Sequence, residues 1–447
     1  MSAGKIKGRI KVLSTLFVLF ALLGLTTVPE AQAVAQFSRK YKLSCSTCHT
    51  AFPRLNYYGE QFMQNGYQLP EKEDGSEVGK TKVSDRQVID QVGNFFGVRL
   101  NVDVANVQTK SRTVTRTNNS TETDREPEAD LGNTHWVGLF VAGSLYKNIS
   151  LFIETELEDQ KAKNQIYRLG FHNLLGQGGL ANIRVGKFSM MDWHVASGRL
   201  RMISNVKVLA TRYNSSDKLG EDSTNMSSST QGVSFYGYTH GLTYQAGIFN
   251  GKADQTDPNR FKNYSGTLKY QLQDGMLEGS GFSVWGMYGT DTASYATSNI
   301  KNDFWRVSPG LNLRLDNNLD IIVAYFMGRD ENYDFQADPT GSGQLSDNDM
   351  TGWTGQIGYN ISPEFYAAVQ YDMVEDEKNT QNSQRILPSL SYFIRENIRL
   401  SLTADLDLLD EESNIPQGND YLRDNARSKL NRYTRKDKYM LNIRAMF

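Results

Sequence analysis

Leu400-Ser401-Leu402-Thr403-Ala404-Asp405-Leu406-Asp407-Leu408 places its apolar residues at every second position and polar ones between them. A strand turns successive side chains to opposite faces, so this stretch has one continuous apolar face and one polar face. The same period recurs far away. Phe365, Ala367, Val369, Tyr371 and Met373 alternate with Tyr366, Ala368, Gln370 and Asp372, and Leu151, Ile153 and Leu157 alternate with Phe152, Glu154, Glu156 and Glu158. Such faces suit a soluble sandwich, where the apolar side meets a second sheet, or a barrel, where it meets lipid.

The connections decide between the two. Sixteen strand-like segments can be counted from residue 95 to residue 447. Connections at 147, 177–180, 241, 275–280, 316–318, 362 and 396 are short, whereas those at 108–134, 160–166, 191–231, 251–262, 292–302, 331–349, 377–382 and 411–437 are mostly longer. An even strand number, with short turns at one end and long loops at the other, is the pattern of an outer-membrane barrel with both chain ends periplasmic. In Tyr439-Met440-Leu441-Asn442-Ile443-Arg444-Ala445-Met446-Phe447 the residues Tyr439, Leu441, Ile443, Ala445 and Phe447 fall on the lipid side. This stretch resembles the insertion signal of bacterial outer-membrane barrels. Pro309 and Pro388 disrupt a ladder, so bulges, or strand starts nearer Gly310 and Ser389, are expected there. The predicted fold is mostly β, a 16-stranded antiparallel barrel in the bacterial outer membrane with lipid as its surroundings.

Composition agrees. The mean hydropathy of −0.51 excludes a bundle of membrane-spanning helices. Forty-four Tyr and Phe (23 and 21) and 38 Gly against 10 Pro suit a β-rich chain. Lys and Arg number 48 against 50 Asp and Glu, so charge gives a nucleic-acid partner no support.

Residues 1–33 read as a secretory signal peptide. Lys5, Lys7, Arg9 and Lys11 precede the apolar run Val12 to Val28, and Ala31-Gln32-Ala33 supplies small residues for cleavage. The other reading, an uncleaved anchor, has a short apolar run against it. Just beyond comes Cys45-Ser46-Thr47-Cys48-His49, which uses both cysteines of the chain. Two thiols at this spacing reach the two vinyl groups of one haem, and the adjacent imidazole becomes the proximal iron ligand. A Cys45–Cys48 redox disulfide is the competing reading, but it lacks a thioredoxin-like βαβ context.

The segment Phe52 to Tyr67 reads as a helix, with Pro53 at its first position and Asn65-Gly66 at its end. Leu55, Tyr58 or Gly59, Phe62 and Met63 share one face. That face could cover a haem, with Met63 either a distal iron ligand or ordinary core. The domains are therefore a signal peptide at 1–33, a monohaem cytochrome c head at 34–75, a linker at 76–94 and a porin-like barrel at 95–447.

Together, the signal, the single haem motif and the barrel resemble the fused outer-membrane monohaem cytochrome c–porin family, whose best-known members are iron oxidases. Beyond the haem motif, Ser44, Phe52-Pro53-Arg54-Leu55-Asn56 and Asn65-Gly66-Tyr67 resemble its haem segment; over the barrel the likeness is one of architecture. The resemblance implies one covalent haem c on Cys45 and Cys48, with His49 proximal. It also implies electron transfer from an extracellular donor, Fe(II) foremost, to a periplasmic c-type cytochrome or similar acceptor. If enzymatic, the reaction is that of an Fe(II):cytochrome c oxidoreductase. Two alternatives stand beside it, a diffusion porin with a haem-bearing plug or sensor head and a haem peroxidase. His135, His172, His194 and His240 read as structural, although Met190-Met191-Asp192-Trp193-His194 opens a long external loop and could touch haem or metal. Asp330-Glu331-Asn332-Tyr333-Asp334 and Asp410-Glu411-Glu412 read as solvated loops that could attract cations.

Overall fold

The computed structural model describes residues 35–70, 81–84, 87–89, 92–115, 121–158, 161–176, 178–203, 206–215, 224–251, 257, 260–295, 298–316, 318–333, 347–377, 382–408 and 433–447. The predicted signal peptide and Asp410-Glu411-Glu412 lie outside the described residues. Sixteen antiparallel strands form one closed barrel. They are β1 (Phe96–Thr115), β2 (Thr121–Tyr146), β3 (Ile149–Glu158), β4 (Lys161–Phe171), β5 (Asn182–Ser189), β6 (Ser229–Thr239), β7 (Leu242–Asn250), β8 (Lys262–Gln271), β9 (Gly281–Tyr295), β10 (Ser298–Leu315), β11 (Leu319–Asp330), β12 (Asn348–Asn360), β13 (Phe365–Asp376), β14 (Ser383–Arg395), β15 (Ile398–Asp407) and β16 (Tyr433–Met446). Each strand pairs with its neighbours in sequence, and β16 closes on β1 through pairs such as Leu441↔Ala105 and Ile443↔Val102.

The period of two becomes an inside and an outside. On β8, Asn263, Ser265, Thr267, Lys269 and Gln271 are buried in the lumen, while Tyr264, Leu268 and Tyr270 are exposed. Around this side of the barrel the outer face reads Leu268, Val284, Leu311, Val323 and Ile357 across its middle. Tyr270, Phe282, Tyr359 and Phe365 lie toward the short-turn end, and Tyr264, Tyr288, Trp305 and Trp353 toward the other. An apolar band between two aromatic girdles is the surface that a transmembrane barrel offers to lipid.

Three local expectations change. Residues 108–134 are not a loop, because the β1–β2 ladder runs on to Thr115↔Thr121. The stretch 76–94 is not wholly an unstructured linker, since Thr81–Ser84 pairs with Gln87–Ile89. Pro309 and Pro388 cause neither bulges nor strand starts. Pro309 pairs opposite Val284 and Pro388 opposite Val369 in unbroken register, while the ladder on the other flank lapses and resumes in phase. A missing N–H removes a bond without shifting the chain.

The lumen is filled from both ends. From the long-loop end, the β5–β6 connection folds inward, burying Met190, Met191, Leu209, Ala210 and Tyr213 against Trp285, Phe304 and Phe326. From the short-turn end comes the N-terminal head: α1 (Gln36–Tyr41), a short ribbon pairing His49–Ala51 with Arg54–Leu55, and α2 (Tyr57–Gln64). The two meet where Arg54 Nη1 donates to the Leu200 carbonyl at 2.6 Å.

Candidate functional site

The expected helix forms, but it begins later than predicted. Pro53 lies in the ribbon's turn, and Asn56 caps α2 by accepting from the Gly59 N–H at 2.9 Å. The Asn56 side-chain nitrogen also donates to the Ser46 and Thr47 carbonyls at 3.2 and 3.0 Å, tying the cysteine motif to the helix start. An Asn side chain accepts and donates at once, so it serves both elements where Pro at this point would serve neither. Gly66, at φ +63°, follows the helix end as expected.

One cavity, about 1330 Å³ in empty volume, gathers the predicted residues: Cys45, Cys48, His49 and Met63 all line it. So do Leu55, Gly59 and Phe62, the rest of the predicted helix face. Gly59 must be small, since a Cβ there would sit 2.1 Å from the Cys48 carbonyl oxygen. Phe37, Tyr41, Tyr67, Phe140 and Phe152 complete an apolar wall. Arg99, Arg168, Arg199 and Arg201 also line it, Arg99 over the Phe140 ring and Arg168 and Arg199 over that of Phe152.

Cys45 and Cys48 form no disulfide. Burial and the nearby Glu396 carboxylate push the Cys45 thiol up, and the Cys45 N–H donates to that carboxylate at 2.7 Å. Burial lowers the His49 pKa to about 4, against a weaker opposing pull from the Arg54 and Pro53 backbone, so the ring is neutral at physiological pH. Met63 both lines the cavity and packs against the cluster of Phe62, Tyr67, Phe140 and Phe152.

Bonds to strands all round the barrel hold the head. Buried Glu60 pairs with Lys269 on β8 and, at 2.6 Å, with Arg314 on β10. Although burial alone would raise its pKa, Lys269, Arg314 and Arg54 hold it down to about 2. Arg54 binds Asp320 on β11 at 2.6 Å and Asn312 at 2.9 Å. Ser144 on β2 donates to the Gly66 carbonyl, and Tyr236 on β6 to that of Gln64, both at 2.9 Å. Asn360 on β12 reaches the Thr50 carbonyl at 3.2 Å, and Arg399 on β15 reaches that of Phe52.

The other candidates fall elsewhere. His194 is not on an external loop and does not line the cavity. It is buried in the inward fold, its Nε2 3.1 Å from the carbonyl of Ser308, beside the ladder gap at Pro309. His172 sits at the short-turn end between Ser150 (2.7 Å) and Tyr236 (3.0 Å). Asp330 is no solvated loop residue either, since Arg306 binds both its oxygens at 2.9 and 2.7 Å inside the wall. Sequence reasoning missed the arginines of the cavity. Polar residues on inward strand faces look alike in sequence, and only closure of the barrel brings 99, 199 and 201 together.

A closed barrel wall around an internal plug defines the class of molecule. No family model and no curated protein matches the chain. Solved structures similar to it include an anion-selective porin from Comamonas acidovorans, 10% identical, with a TM-score of 0.48 over 79% of this chain and 99% of that one. The outer membrane channel DcaP of Acinetobacter baumannii is 9% identical at TM-score 0.48, covering 83% and 100%. OmpF of Salmonella typhi, in complex with daunomycin, is 11% identical at 0.47, covering 79% and 97%. The barrel assignment rests on the chain's own strand pairing, not on these likenesses.

Proposed function

We propose that the protein is a bacterial outer-membrane barrel, plugged by its own N-terminal head, that carries one haem c and passes electrons from an extracellular donor, Fe(II) foremost, to a periplasmic c-type cytochrome or similar acceptor. One observation carries this reading: two thiols, a neutral imidazole and a thioether converge on a single cavity. Cys45 and Cys48 would form the thioethers, His49 would ligate the iron, and Met63 is the candidate for the distal position. The fit is supported by the buried, neutral His49 ring and by the apolar wall of Phe37, Phe62 and Phe152. When bound, haem supplies one-electron redox chemistry. The chain's own residues orient the ligands, as Asn56 does for the cysteine turn, and exclude water from the apolar side. The apolar band and its aromatic girdles support the membrane placement, with the short-turn end periplasmic.

The test is a stopped-flow spectrum of the detergent-purified, oxidised protein mixed with Fe(II). Growth of the reduced c-type α-band within milliseconds to seconds is the expected result. Reduction by dithionite but not by Fe(II) would move the donor elsewhere, and no haem band at all would end the reading. A diffusion porin with a haem-bearing plug is the second reading. It is favoured by a polar cleft of about 570 Å³ between α2 and the β6–β7 turn, lined by Gln61, Gln64, Asn65, Tyr238 and Thr243. Appreciable ion conductance in planar bilayers would support it.

A further inference from the structure

Arginines from separate parts of the chain gather at the cavity. Arg99 of β1 and Arg199 and Arg201 of the inward fold line it directly. Arg399 of β15 and Arg444 of β16 lie behind them, where the charges of Arg99, Arg201 and Arg399 act on Arg444. Two carboxylates oppose them. Glu154 accepts from Arg99 at 2.5 Å and from Arg199 at 3.3 Å, and Glu156 lies 3.7 Å from Arg99. Glu396, the remaining carboxylate of the cavity lining, is bound to the Cys45 N–H. Arg99, Arg199 and Arg201, with Arg399 behind them, face Glu154 and Glu156 with a surplus of two positive charges.

Arg199 and Arg201 are half-buried, and the rest of the surplus is withdrawn from water. Arg99 is 8% exposed and Arg399 2%. Arg99 Nε, Arg199 Nη2, Arg201 Nε and two nitrogens of Arg399 are buried without a hydrogen-bond partner. Burial, together with Arg99 and Arg199, lowers the Arg201 pKa to about 10. Buried cations without counter-charge are costly, and the guanidinium fork matches a carboxylate with two parallel bonds. The missing partner is therefore anionic, and the cavity it must enter is the one that holds Cys45, Cys48 and His49.

We propose that Arg99, Arg199 and Arg201, backed by Arg399 and Arg444, bind the two carboxylates of one ligand, and that these are the propionates of the haem. The assignment rests on the haem reading above. It makes the arginines positioning residues that also set the potential, because cations beside the porphyrin favour the reduced form.

The experiment compares the wild-type protein with the triple variant R99Q/R199Q/R201Q and with R201Q alone, all as full chains in detergent. Pyridine haemochrome gives haem per chain, and heat-modifiable migration reports the folded barrel. The readouts are the potential by spectroelectrochemistry and the propionate-bending bands by resonance Raman. The triple variant is expected to keep its haem and shift the propionate bands. Its reduced-to-oxidised ratio at a fixed poise is expected to fall at least tenfold, which is 59 mV for one electron. R201Q moves both readouts in the same direction by less, and it decides the matter if the triple variant fails to fold. Haem retained with potential and bands unmoved overturns the assignment while leaving the haem reading intact. So does binding of free succinate to the haem-loaded wild-type protein that the triple variant loses without a spectral change, which would give the arginines to a free carboxylate. Wild-type protein lacking a haemochrome overturns both.

Discussion

Gly59 is where the smallest possible residue decides the most. Its missing Cβ lets α2 lie against the cysteine turn, with the Cys48 carbonyl 2.1 Å from where a methyl group would begin. Gly59→Ala would therefore push the turn off the helix, although alanine is the better helix former. The expected outcome is a several-fold loss of haem per chain, read by pyridine haemochrome, with the barrel still heat-modifiable. Glu60, one residue on, acts through charge. Its pKa is near 2 in the folded protein against 4.5 as the ordinary value. The folded value is depressed, so its stabilisation is present above about pH 4.5 and fades as pH falls toward 2. Limited proteolysis should show the head becoming cleavable across that window. Glu60→Gln leaves Lys269 and Arg314 buried without their counter-charge and should cost about 3–5 kcal/mol, measured as loss of heat-modifiable stability. The cysteine motif stands out in sequence because Cys45, Cys48 and His49 fall within five residues and use both cysteines of the chain. Glu60 and the arginines were not legible, since Glu60's partners lie more than 200 residues away and those of Arg99 and Arg199 on other elements, and only the closed wall brings them close.

At the scale of elements, α2 was legible in its apolar face and in its Asn65-Gly66 end, and misread at its start. Proline at a first turn is a good general signal. Here Asn56 does more, capping the helix with its oxygen and holding Ser46 and Thr47 with its nitrogen. The two roles can be separated. Asn56→Asp keeps the cap and loses the donor, so helix stability should hold while haem attachment falls. Asn56→Ala should lose both, with about 1 kcal/mol from the cap alone. Haem yield and circular dichroism of the two variants, side by side, check this. The inward fold was not legible. Met190-Met191-Asp192-Trp193-His194 has no strand period and lies in a long connection, which describes an external loop equally well. Its burial follows from having Trp285, Phe304 and Phe326 on the inner wall to pack against. Those inward aromatics break the polar rule for a lumen, and they were the signal that could have revealed it.

The whole molecule was legible as a barrel because sixteen segments with one period and two kinds of connection leave few other arrangements. That the barrel is stoppered was not. Arg54 bridges the two plugs by binding Asp320 and the Leu200 carbonyl. Full-length protein in planar bilayers is therefore expected to pass little current, and Arg54→Ala with Glu60→Gln to pass markedly more. Equal currents would mean that the head does not obstruct the pore.

The bonds from the head to β2, β6, β8, β10, β11, β12 and β15 also dictate an order of manufacture. The head precedes every wall strand in the chain, and the seam is sealed by the last strand meeting the first. A hoop that grips an object on all sides must be wrapped around it rather than slipped over it afterwards. The cell therefore has to finish the head, with whatever is bonded to its two cysteines, before the wall is sewn shut.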